Sequence, residues 1–330
     1  MSIRIGMALV CLAAALASAI YAAEPQNGES GYEADLVLKF TIPEHDLYPE
    51  NIAYDSVSGD FFLGSLSQSR IIRIRADGSY DDFVSSPEAS LLSSVGMKVD
   101  ARRRVLWVCS GRYALFADYA SAPALTGVLT FNIDDGSVIH EWMLDQESDY
   151  HIFNDLALAS NGDAYATTTL IGRVYRLPAN GDEMELVLQL DQGSHNNGIA
   201  LDGDERYLLM TIDRSLYRFE LAARDLVEID VPEDEALGTD GLYVFDNSLV
   251  TVKPRFKQIA QLFVNADYTA ANSVVILAQD HEQFAYPTTG VIVGDKLVFV
   301  ATSYADIPRN TESAEQHPDV LIYEVNLNEE

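Results

Sequence analysis

Asn196-Asn197-Gly198-Ile199-Ala200-Leu201-Asp202 opens a unit that this chain repeats. A polar turn at Gly203-Asp204 follows it. Tyr207-Leu-Leu-Met-Thr211 and Ser215-Leu-Tyr-Arg-Phe219 come next and read as second and third strands. The same order starts again at Pro49-Glu50-Asn-Ile-Ala-Tyr-Asp55, Val95-Gly-Met-Lys-Val-Asp100 and Phe153-Asn154-Asp-Leu-Ala-Leu-Ala159. It also starts at Thr239-Asp240-Gly-Leu-Tyr-Val244 and Tyr286-Pro-Thr-Thr-Gly-Val-Ile-Val293. The first strand of each copy is mostly small and apolar. Its turn holds Gly, Asp or Asn, as tight hairpins require. The second strand carries aromatic and β-branched residues, and the third alternates.

The openings fall at 50, 95, 154, 197, 240 and 288, roughly 43 to 59 residues apart. A β repeat of about 40–50 residues is the signature of propeller blades. The chain is therefore predicted to be all-β, a six-bladed β-propeller filling residues 24–330 as one domain. Such a ring must be sealed, because an open one exposes two sheet edges. Leu36-Val-Leu-Lys-Phe40 is predicted to pair in one sheet with the C-terminal strand Val320–Val325. The longest spacing holds an insertion, Gly111 to Thr126, with two Tyr and a Phe. It reads either as part of a binding-site rim or as a plain surface loop.

In a propeller the first strand of each blade is innermost, so its start lies at one mouth of the central channel. Glu50, Asn154, Asn197 and Asp240 would then converge there as two carboxylates and two amides. That is an all-oxygen cage for a hard divalent cation, calcium by preference. No Cys or His cluster has zinc-type spacing, and six scattered His do not make a transition-metal site. The competing reading is that Asn and Asp open these strands as ordinary turn residues. Their common register, and Glu50, a poor turn residue, favour the cage. His151 and His195 flank the two asparagines and read as proton shuttles or as surface and supporting groups. Tyr286 either lines the mouth at blade six or packs as an ordinary aromatic.

With these motifs in order across Leu36 to Val325, the chain resembles the gluconolactonase and regucalcin (senescence marker protein) family of six-bladed calcium-dependent propellers. It is more distantly similar to diisopropylfluorophosphatase and paraoxonase. The resemblance implies Glu50, Asn197 and Asp240 as direct metal ligands. Asn154 would ligate the metal, as in the phosphotriesterase relatives, or contact substrate or metal-bound water, as in the lactonases. Asp240 would serve as base or nucleophile, which makes Asp240 and Asn154 the expected catalytic pair. The expected function is a metal-dependent hydrolase of a lactone or related ester, acting as a monomer on a small molecule. A non-catalytic binding propeller with a structural metal, or a phosphotriesterase-like hydrolase, would use the same residues. Fold alone does not choose among them.

Composition narrows the partners. The formal net charge is −30 with a sequence pI near 4.3. Such a surface repels phosphate backbones and anionic lipid, so neither nucleic acid nor membrane is an expected partner of the mature chain. The triplet Arg102-Arg103-Arg104 reads as a solvated turn. Residues 1–23 read as a secretory signal: Arg4 precedes the apolar run Met7 to Leu16, and Ala17-Ser-Ala19 or Tyr21-Ala-Ala23 offers a cleavage site. An uncleaved anchor is the alternative. The expected location is periplasmic or secreted. Cys11 falls in the leader, so Cys109 has no partner for an intramolecular disulfide, and its apolar surroundings predict a buried structural thiol. If the leader is removed, mass spectrometry of exported protein should show a chain beginning near Ile20 or Glu24. Intact Met1 in a cytoplasmic fraction would contradict that.

Overall fold

Tyr207-Leu-Leu-Met-Thr-Ile212 is buried at all six positions. A strand that alternates its side chains between two faces can do this only with packing on both. Leu208 and Met210 pack towards Ala157 and Val174 of the preceding repeat, whereas Tyr207 and Leu209 pack towards Leu242 and Leu249 of the next. Phe61 and Leu63 likewise face Val298 and Val300, while Phe62 faces Met97 and Leu106. The core is thus six wedges, one at each seam between neighbouring sheets. Cys109 is fully buried in one of them, and burial pushes its thiol well above the ordinary range. It is the structural thiol the sequence predicts.

The computed structural model describes residues 36–328, apart from 86–89, 114–123, 147–150, 182, 192, 233–234 and 304–318. The leader and most of the Gly111–Thr126 insertion lie outside the described residues. Those described form six four-stranded antiparallel sheets, a six-bladed β-propeller. Innermost in the six blades are β2 (Ile52–Tyr54), β6 (Ser93–Asp100), β10 (Ile152–Leu158), β14 (Asn196–Leu201), β18 (Gly241–Phe245) and β22 (Gly290–Val293). Five blades are continuous in sequence. In the sixth, β1 (Leu36–Ile42) supplies the outer strand and pairs with β24 (Val320–Asn326), from Leu36↔Val325 to Ile42↔Val320 with a register shift between Leu38 and Phe40. The ring is therefore sealed by its two terminal strands, as the sequence predicts.

The arginine triplet departs from its sequence reading. It does occupy a turn, but two of its members clamp blades together. Arg104 Nη1 lies 2.7 Å from Oδ2 of Asp55, a carboxylate with no exposed surface, and its other nitrogens hold Asp134. Arg103 pairs with Asp100 and donates to the Ser160 carbonyl of blade three. Asp55 in turn accepts the Val57 and Ser58 amides of its own turn. Removing Arg104 would leave a buried carboxylate uncompensated. Arg104→Ala should therefore cost about 3 kcal/mol in urea unfolding, while Arg102→Ala at an exposed position should stay within about 0.5 kcal/mol of wild type. Equal effects from the two would show that the clamp carries no weight.

Candidate functional site

Three of the innermost strands break register at the same place. The interruption falls between Ser94 and Met97, between Phe153 and Leu156, and between Asn196 and Ile199. The residues spanned are Val95-Gly96, Asn154-Asp155 and Asn197-Gly198. A β-bulge of this kind re-aims side chains away from the ladder. Asn154 and Asn197 therefore lie inside their strands at bulges, whereas Glu50 and Asp240 come just before β2 and β18. This corrects the expectation that all four stand at strand starts. The bulges also let neighbouring blades approach closely. A Cβ on Gly96 would lie 2.4 Å from the Asn154 carbonyl oxygen, and one on Gly198 would lie 2.4 Å from that of Asp240.

Hydroxyls tie the openings together across the seams. Thr288 and Thr289 both donate from Oγ1 to the Glu50 carbonyl, at 2.7 and 2.6 Å. Thr169 Oγ1 donates to the Asn196 carbonyl and accepts a hydrogen bond from Asn154 Nδ2 at 2.9 Å. That bond leaves the amide oxygen as the group Asn154 can offer. Thr167 Oγ1 donates to the Asn197 carbonyl. Blade two contributes only buried Val95 at the equivalent position. The Thr288 hydroxyl is already engaged.

Glu50 and Asp240 are both 5 % exposed. Burial pushes the Glu50 carboxyl well above the usual range, and the nearby Asp240 and Asp155 charges push it the same way. Burial raises Asp240 to about 7, opposed by a hydrogen bond from Asn197 and reinforced by Asp155. Glu50, Asn197 and Asp240 are thus brought together. Glu50 Oε2, Asn197 Oδ1 and Asp240 Oδ1 are buried with no hydrogen-bond partner among the described residues. Both amide atoms of Asn51, beside Glu50, are in the same state. Unpartnered buried oxygens are costly in a fold, and three from three blades make a donor set that suits a hard cation. Among the described residues, no three His, Cys, Asp or Glu side chains are close enough to hold a metal ion by themselves. An oxygen cage here has to include amides.

Sequence reasoning passed over Asp155 and Lys98. Asp155 is 2 % exposed, and its Oδ1 lies 2.9 Å from Lys98 Nζ. The ammonium also sits 5.6 Å from the centre of the Tyr243 ring. Lys98 and Tyr243 line a cavity of about 230 Å³ further along the innermost strands, walled by Leu158, Leu201 and Ile292. Another cleft of about 530 Å³, lined by Arg214, Glu228 and Asp230, contains none of the four opening residues. His151 is buried, its carbonyl accepting a bond from Gln146. His195 is exposed.

Tyr286 belongs to the mouth. Its backbone carbonyl accepts the Ser303 amide, and Ser303 Oγ donates to the Pro49 carbonyl next to Glu50. Burial raises its phenol, as do the Asp240 and Glu50 charges, while a hydrogen bond from Arg255 opposes them.

No family model matches the chain, and no curated protein matches its sequence. Solved structures share its fold. The major Malassezia sympodialis allergen Mala s 1 superposes with a TM-score of 0.64 at 16% identity, over 88% of this chain and 96% of that one. A gluconolactonase from Xanthomonas campestris gives 0.59 at 16% identity, over 90% and 91%. A luciferin-regenerating enzyme gives 0.58 at 11% identity, over 88% and 92%. Identities this low establish the fold and leave the activity open.

The raised carboxyls have a measurable consequence in metal-free protein. Asp240 holds in the fold, up to about pH 7, a proton that the unfolded chain releases near the ordinary carboxylate value of 3.8. Between those values the folded state binds more protons, so the site's contribution to stability falls as pH rises. In chelator, melting temperature should decline from pH 5 to 8. Glu50→Gln should reduce that decline and melt roughly 2 °C higher than wild type at pH 8. A lower melting point for Glu50→Gln at pH 8 would show that the carboxylates do not repel.

Proposed function

We propose that the chain is an exported hydrolase of lactones or related esters that works with a divalent cation, calcium by preference, at the channel mouth. The observation that carries this reading is the convergence of Glu50 Oε2, Asn197 Oδ1 and Asp240 Oδ1, buried without partners and drawn from three blades. These atoms would hold the cation, with the Asn154 amide oxygen as fourth ligand or as a contact to substrate. The local charges fit: Glu50, Asp155 and Asp240 against Lys98 leave a formal −2, which one divalent ion neutralises. A bound cation of this kind polarises a scissile carbonyl and eases deprotonation of water.

The chain's own residues supply the rest. Asp240, raised to about 7 by burial, is placed to accept a proton at a carboxylate oxygen from an attacking water. Asn197 fixes its orientation through the hydrogen bond that its side-chain amide donates to the carboxylate. Asn154, its nitrogen held by Thr169, presents an acceptor that orients a hydroxyl of substrate or water. Apolar Val95 leaves blade two without a ligand at the equivalent position. A gluconolactonase of the same fold is coarse support for this chemistry.

Calcium should raise the melting temperature after chelator treatment, by mass action on the native state. Affinity should increase with pH up to about 7, where the cation no longer competes with the Asp240 proton. Glu50→Gln and Asp240→Asn should each weaken binding at least tenfold, about 1.4 kcal/mol, and abolish turnover of aldonolactones or aryl esters. Asn154→Ala should bind more nearly like wild type. Asn161→Ala, in a turn where Asn161 bonds Asp163, should leave affinity unchanged. Calorimetry showing no divalent-cation binding to wild type would overturn the reading. Turnover of phosphotriesters but not esters would redirect it.

A further inference from the structure

Arg255 stands beside this mouth. Asp240 N donates to the Val252 carbonyl at 2.8 Å. Three residues further on, the chain turns through the 3₁₀ segment Pro254–Phe256 at the end of the second strand of blade five. Arg255 is therefore carried at the same end of the blade as Asp240, and its side chain is exposed. Its partner Tyr286 comes from blade six, held next to Glu50 through Ser303 and Pro49. Arginine and tyrosine thus meet across the seam between blade five, which carries Asp240, and blade six, which lies between Asp240 and Glu50. The chain has 21 Lys and Arg against 51 Asp and Glu, so an exposed guanidinium at the edge of an acidic pocket has a local charge opposite to its surroundings.

We propose that Arg255, oriented by Tyr286, binds a carboxylate that the substrate carries in addition to its scissile carbonyl. This rests on the hydrolase reading above and narrows it to anionic lactones or esters. A guanidinium is a planar fork that matches the two oxygens of a carboxylate. Tyr286 fixes the plane of that fork, so less side-chain freedom is lost when the anion docks. A single guanidinium balances one carboxylate. A phosphate, with nearly two charges, would face Glu50, Asp155 and Asp240 with half of its charge unmatched.

The test uses full-length protein and two probes that differ by one carboxylate, D-glucarate and D-gluconate. Calorimetry at fixed free calcium should show wild type preferring glucarate at least tenfold. Arg255→Gln should bind the two equally, and Arg255→Lys should keep a smaller preference, because an ammonium lacks the fork. Tyr286→Phe should reduce the preference without abolishing it. Calcium affinity should be unchanged in Arg255→Gln, which also shows that the variant is folded. An unaltered preference in Arg255→Gln, or no preference in wild type, would overturn the proposal. If calcium does not bind but an Arg255-dependent preference persists, the anion site stands and the metal reading falls.

Discussion

The seam between blades six and one is the constraint on which the rest depends. That seam exists because β1 and β24, the two terminal strands, pair within blade six, and across it two threonine hydroxyls converge on the Glu50 carbonyl. Glu50 and Asp240 belong to blades far apart in sequence. Their approach is a property of the closed ring and of no local segment. If the ring opened, the second strands would lose one of their two packed faces at the break. The site residues would also separate, because no element other than the ring connects them. Closure and site geometry are thus one condition.

The wedge-shaped cores give this condition its strength. Each seam is a separate apolar cluster that takes alternate side chains from one strand and a matching set from the next blade. Neighbour-to-neighbour packing is also how solenoid repeats are built, but a solenoid has two ends that fray. Here the ends are joined. Polar clamps reinforce the apolar seams at the turns far from the mouth, with Arg104 reaching Asp55 and Asp134, and Arg103 reaching Ser160. Near the mouth the reinforcing groups are neutral threonines. Charge there is concentrated in Glu50, Asp155, Asp240 and Lys98.

Much of the fold was legible because the wedges impose a pattern. A strand buried on both faces must be largely apolar, so Tyr207–Met210 and Leu297–Val300 stand out by composition. Hairpin turns with Gly, Asp and Asn then mark the register. The outer strands left no such trace. Tyr80-Asp-Asp-Phe-Val84 and Asp225-Leu-Val-Glu228 are buried only at Val84, and nothing in them repeats. The opening residues could be picked out because four copies share a position. Lys98 and Asp155 could not, since their pairing crosses from blade two to blade three. The bulges were equally silent, because an extra residue in a strand changes no composition. The arginine triplet misled for a related reason: a turn with three positive charges looks solvated until the acidic turns beside it are placed in space.

The ion pair between Lys98 and Asp155 bears on which ions the mouth could accept. Without its ammonium, the three neighbouring carboxylates would present a formal −3. The ion matching that charge is trivalent, and lanthanides have the same taste for oxygen as calcium. With the ammonium in place the count returns to −2. Lys98 need not touch a bound ion to matter. On the proposed reading it would set the valence of the ion that fits.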